Sequence, residues 1–252
     1  MWPYNVDMRL RGLFLTVAAA GLAVMAGAAG TAALAGADPD GVAGIGQDAA
    51  VPPDGSPQCA GVHRQRVRID FARRDVPVRY DLTKDTQAIT AMGGETMRGA
   101  IGRGMTRDSF RARFTVDFIV EHVPGGVCMV PAAVKGEAGF DDMTVYLASD
   151  YPEGSCQYRA VKEHEDTHVR INMGALDAAF PRMRAALLAA AQGAAFPLFA
   201  PDRDAGKAMG TGQIDAALIR EADGFRRARE AGHHMLDSPA SYQRTEGECT
   251  SW

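Results

Sequence analysis

Hydrophobic and polar residues alternate in several short stretches of the first half of the chain. Val67, Ile69 and Phe71 alternate with Arg66, Arg68 and Asp70, and Val76, Val78 and Tyr80 continue the habit. Both stretches predict short strands with one covered face. Arg113 to Glu121 gives the clearest strand, with Phe114, Val116, Phe118 and Val120 on one face and Arg113, Thr115, Asp117 and Ile119 on the other. Pro124-Gly125-Gly126 predicts a turn, followed by strands at Val127–Val130 and Met143–Leu147, the latter expected at a sheet edge. Residues 83–92 suit a short helix, Gly93-Gly94 interrupts it, and residues 97–105 read as loop.

From Gln157 the period lengthens. A helical pattern runs through His164, His168, Met173 and Leu176 to Ala191, with Pro181 expected to kink or divide it. Prolines and glycines in residues 193–212 predict a long surface loop, Gln213–Gly232 a last helix, and Asp237–Trp252 a polar tail. The fold class expected is α+β: a small, mostly antiparallel sheet packed on a long helix and a second C-terminal helix.

The first residues stand apart. Arg9 and Arg11 precede Leu13–Ala35, a stretch without charge that ends in small residues. This predicts a signal peptide or an N-terminal membrane anchor over 1–37, then a flexible lead-in over 38–58 containing Pro52-Pro53-Asp54-Gly55. Residues 59–252 are expected to form one domain, exported to the periplasm or secreted, or else held at the membrane by an uncleaved anchor. Cys59, Cys128, Cys156 and Cys249 make an even count, which in an exported chain predicts two disulfides. Of the three connectivities, Cys128–Cys156 with Cys59–Cys249 is the one favoured here. With 46% apolar and 23% charged residues the chain is a folding one, and its net charge of -4 carries no basic footprint for nucleic acid.

One motif carries chemistry. His164-Glu165-Asp166-Thr167-His168 reads HExxH within a helical pattern. One helical turn separates the imidazoles, so both face the same side and can share a zinc ion (Zn2+). Glu165 lies beside them as a general base for water. The structural alternative is a pair of surface histidines.

The motif resembles the zincin metallopeptidases. That resemblance implies an HExxH helix under a small sheet whose edge strand pairs with an extended peptide or protein substrate. More narrowly, the chain is similar to exported bacterial zincin-like proteins of the DUF922 type. Leu236-Asp237 matches the start of a stretch near the end of those proteins, but Tyr242-Gln243 stands where they carry a His-Gly pair.

Zinc peptidase sites usually have three protein ligands. The extended motif with a third histidine is absent, since Gly174 occupies its place, and Asp177 lies on the motif helix itself. On the last helix Glu221 falls near the centre of the stripe Ile214, Leu218, Ala222, Phe225 and Ala228, where a lone carboxylate is costly to bury. Glu221 is therefore the expected third ligand. An ion pair with Arg182 or Arg184 is its structural alternative, and His233 or His234 are the competing ligands. Asp237 and Asp223 are candidates for orienting a zinc histidine, and Tyr242 for stabilising an oxyanion.

These readings predict a zinc-dependent hydrolase, most simply a peptidase. The alternatives are a zinc-binding envelope protein without turnover and a structural protein with incidental histidines.

Overall fold

The computed structural model describes residues 55–93 and 101–252. The expected signal or anchor and nearly all of the lead-in lie outside the described residues. In chain order the elements are β1 (Arg68–Arg74), β2 (Arg79–Asp81), α1 (Thr86–Gly93), β3 (Gly104–Val123), β4 (Gly126–Leu147), α2 (Cys156–Ala191), β5 (Leu198–Ala200), α3 (Arg203–Leu236) and α4 (Pro239–Gly247).

Strand β4 organises the sheet. β3 runs antiparallel to it along its whole length, from Val123 opposite Gly126 to Gly104 opposite Leu147. A strand has only two edges, so the three short strands share the other one. β5 pairs antiparallel with Val127–Met129, β1 parallel with Ala133–Gly139, and β2 parallel with Thr144–Tyr146.

The expected mostly antiparallel sheet is therefore corrected. The ordered strands β1-β4-β2 are parallel throughout, and the five-stranded sheet is mixed. Alternation shows that a strand has one covered face and carries no information about a neighbour's direction. β1 and β2 do not fold back on each other. The chain keeps its heading through Asp75–Val78, where Pro77 breaks the ladder, and docks twice on the same edge.

Val127–Val130 and Met143–Leu147 are the two ends of the single strand β4. Met143–Leu147 is central, paired with both β2 and β3, so it is not the edge strand expected.

On β3 the even-numbered residues face the helices, as the pattern predicted. Ala112 and Phe114 are buried, and Phe110, Val116 and Phe118 pack on the same core. That core joins the sheet to Leu176, Met183 and Leu187 of α2 and to Ile214, Leu218 and Phe225 of α3, all fully buried. Each such side chain contributes about 1.5–3 kcal/mol on burial, enough to hold the two long helices in one register.

Helix α2 starts one residue before its expected position, where Ser155 accepts a bond from the Tyr158 amide at 3.1 Å. It continues through Pro181 without dividing. The expected loop over 193–212 is also corrected: it holds β5 and the first turns of α3, capped by Asp202. Its glycines serve packing. A Cβ on Gly206 would meet Met129, and one on Gly210 would meet Phe118.

The disulfides are Cys59–Cys128 and Cys156–Cys249, not the pairs expected. The first ties the N-terminal turn to β4, and the second ties the tail to the first residue of α2. The long separations of these cysteines in sequence gave no basis for choosing between connectivities. Two disulfides fit an exported protein, and among the described residues no helix is long and apolar enough to cross a membrane.

Candidate metal centre

Helices α2 and α3 run antiparallel. Moving back along α2 through Arg182, Asn172, His168 and His164 means moving forward along α3 through Glu221, Arg229, His233 and Asp237, each pair in contact. The HExxH turn therefore lies beside the end of α3. That end is written into the sequence: Ser238 caps the next helix and Pro239 begins it, so α3 stops. Asp237 closes α3, its amide still bonded to the His233 carbonyl at 2.8 Å, with its side chain turned to the histidines.

The Nε2 atoms of His164 and His168 lie 3.3 and 3.1 Å from the same oxygen, Oδ1 of Asp237. Among the described residues His164, His168 and Asp237 form the group that could hold a metal ion, their ligand atoms all within 4.8 Å of one another. The two histidine side chains are only 8% and 12% exposed, while Asp237 is 39% exposed and marks the open side.

Glu221 does not join them. It pairs with Arg182 at 3.3 Å, the alternative weighed against it. Arg182 lies about 21 Å along α2 from His168, at 1.5 Å per residue. The phase of α3 shows which way a side chain points around the axis, but not which turn of α2 it meets. His234 is exposed, and Asp223 lies near Arg226 at 3.5 Å.

Burial pushes the Glu165 carboxyl above its usual range, tempered by His168 and by a hydrogen bond from the Thr106 hydroxyl to Oε2 at 2.8 Å. For Asp237 burial acts upward too, but hydrogen bonds with His164 and His168 outweigh it and hold the carboxyl well below the ordinary carboxylate range. His168 moves the opposite way. Burial opposes its charge, yet the bond to Asp237 and the Glu165 carboxylate raise its pKa. The Tyr242 ring stacks on His164 at 5.3 Å, and its hydroxyl donates to Asp237 Oδ1 at 3.2 Å. Burial and the Asp237 charge raise its pKa, so it stays protonated.

Behind His168 lies a polar cluster. His168 Nδ1 meets His233 Nδ1 at 2.8 Å, and His233 Nε2 meets Asn172 Oδ1 at 2.9 Å. Asn172 in turn contacts Asp108 and Arg229. Burial, His168 and Arg229 push the His233 pKa down. A cavity of about 270 Å³ opens onto Gly104, Thr106, Glu165, His168, Asp237 and Tyr242.

Thr106, Asp108 and Asn172 were not among the sequence candidates, although a signal existed. Extending the inward, even-numbered face of β3 back from Phe114 reaches Asp108 and Thr106. Asn172, fully buried, stands one turn before Leu176 on the buried stripe of α2. Polar residues on apolar faces are what a site requires. No family model matches the chain, and no curated protein or solved structure matches it.

Proposed function

We propose that the protein is an exported zinc-dependent hydrolase, a peptidase in the manner of the zincins that its motif resembles. The observation that carries this reading is the convergence of two histidine Nε2 atoms on one carboxylate oxygen, beside a buried glutamate and an open cavity.

The donor set fits zinc. Ligand atoms around a tetrahedral ion with bonds of about 2.0–2.1 Å stand roughly 3.3 Å apart, and the distances from the histidines to Asp237 are 3.3 and 3.1 Å. His164, His168 and Asp237 would hold the ion. Once bound, zinc supplies Lewis-acid polarisation of a carbonyl and makes water more acidic.

The chain's own groups do the rest. Thr106 engages Glu165 Oε2, which leaves Oε1 to take a proton from water and pass it to the leaving amine. The raised pKa of Glu165 suits a base that must also give its proton back. Tyr242 keeps its hydrogen, now donated to Asp237 Oδ1, and on releasing that bond can turn it to negative charge developing on the carbonyl oxygen. The strand beside Glu165 is β3, beginning at Gly104. Among the described residues its second edge pairs with no strand, which leaves it available to an extended peptide.

A closed structural zinc site would have four protein ligands, and the cavity beside these three favours an open one. The test is metal analysis of the purified protein together with Glu165→Gln. About one zinc per chain, with peptide hydrolysis abolished and zinc retained in the variant, is expected. Stoichiometric zinc without hydrolysis of any peptide library would replace the reading with a non-catalytic zinc-binding protein.

A further inference from the structure

The bonds behind His168 have a direction set at their far end. We infer that Asp108, Asn172 and His233 form a positioning chain that fixes His168 as its Nδ1–H tautomer and turns the Nε2 lone pair toward the ion site. This rests on the metal-site reading above.

A guanidinium can only donate and an ionised carboxylate can only accept. Arg229 Nε stands 2.8 Å from one end of the Asn172 amide, so that end must be the oxygen. The other end stands 3.1 Å from Asp108 Oδ2, so it must be the NH2 group. Arg229 also donates to Asp108 at 2.5 Å, and the pair is only 18% and 14% exposed, which locks both ends. Asn172 itself is fully buried and has one orientation.

Its Oδ1, an acceptor, lies 2.9 Å from His233 Nε2, which must therefore carry a hydrogen. In the neutral His233 ring Nδ1 is then an acceptor. It lies 2.8 Å from His168 Nδ1, so His168 is the donor there. The neutral His168 ring is left with its lone pair on Nε2, 3.1 Å from Asp237 Oδ1. In the charged ring a second proton sits on Nε2 and bonds Asp237, and a metal ion would take the place of that proton, with Nδ1–H kept toward His233 in both states.

A fixed tautomer spares the ion the cost of ordering the ring, and partners of this kind are typically worth 10–100-fold in metal affinity. The three residues also line the cavity, but toward the ion they act through His168, so metal affinity and the ring tautomer are what report their role.

The test uses the full chain in three forms: wild type, His233→Leu and His233→Gln. Ring 15N shifts of metal-free wild type at alkaline pH are expected to place the His168 proton on Nδ1. Zinc affinity, read by competition with a chromophoric chelator, is expected to fall about 10–100-fold in His233→Leu, with the His168 proton redistributed toward Nε2. The glutamine carbonyl can accept the same hydrogen while its NH2 group donates to Asn172, so His233→Gln is expected to recover both readouts. A wild-type His168 proton on Nε2 overturns the inference, as does unchanged zinc affinity in a folded His233→Leu. If wild type binds no zinc, the metal-site reading fails instead, and the ring assignment still decides the tautomer. If His233→Leu does not fold, the wild-type assignment and His233→Gln decide it.

Discussion

Gly104 packs on Glu165 with no room for a side chain. A Cβ there would stand 2.7 Å from Oε1 and 2.8 Å from Cγ of the glutamate, and 2.7 Å from Val161 Cγ1. The start of β3 thus sets where the carboxylate lies. Gly104→Ala must move side-chain atoms rather than backbone, so it is expected to cost about 1–3 kcal/mol as local overpacking. Peptide hydrolysis should fall at least tenfold with zinc content unchanged. Full activity in that variant would show that the contact with Gly104 does not set the position of the carboxylate.

Asp237 and Glu221 are separated by one substitution each. Asp237→Ala takes away one of three donors, and zinc affinity should fall by more than a hundredfold. Glu221→Ala breaks an exposed pair with Arg182, worth about 0–1 kcal/mol, and should leave zinc affinity unchanged. Isothermal titration of both variants checks this; the reverse ranking would overturn the assignment of Asp237 as the third donor.

The metal-free protein should be most stable in mild acid. Glu165 and His168 have raised pKa values. The stability they contribute is complete below their unfolded values of 4.5 and 6.5, and is lost as pH rises through the higher folded values. Asp237 is lowered. Its contribution is present above 3.8 and is lost as pH falls from there toward the folded value. His233 is lowered and opposes His168, losing stability as pH falls below 6.5. Two raised groups against this one leave the melting temperature without metal declining on both sides of the window. Zinc competes with the proton on His168, so added zinc should raise stability most at neutral and alkaline pH. A metal-free melting temperature climbing steadily from mild acid to alkaline pH contradicts this assignment.

The Cys156–Cys249 bridge closes the tail onto α2 two turns before His164. Between its ends in sequence lie the whole helical pair and α4 with Tyr242. Replacing both cysteines with serine should cost about 2–4 kcal/mol and weaken zinc binding, because Tyr242 loses its hold beside His164. Replacing the Cys59–Cys128 pair should lower stability by a similar amount with zinc affinity intact. Thermal melts and chelator competition on both double variants distinguish the two bridges.

The HExxH pair was legible because its geometry is local: four positions on one helix put two rings on one side. Glu165 and the inward face of β3 were legible for the same reason. Asp237 was not chosen as a ligand because its place depends on how far α3 runs beside α2, a quantity that no periodicity contains. Glu221 was favoured on angle alone. The sheet was misread in the same way, since alternation at Val67–Phe71 reports a covered face while the heading of β1 against β4 is decided by residues more than sixty positions away. The glycines at 206 and 210 looked like breaks because a small residue that admits a neighbouring side chain is indistinguishable in sequence from one that ends a helix.

The antiparallel run of α2 and α3 has a mechanical consequence. The chain joins the two helices at one end, and the two histidines and Asp237 meet at the other. Inside the clasp already made by the Cys156–Cys249 bridge, an ion held there would be a second one at the end of the hairpin that the chain itself does not join. Removing it should unzip the pair from the tips inward, with amides near His233 and Asp237 exchanging hydrogen sooner than those beside Leu218, long before the whole protein unfolds.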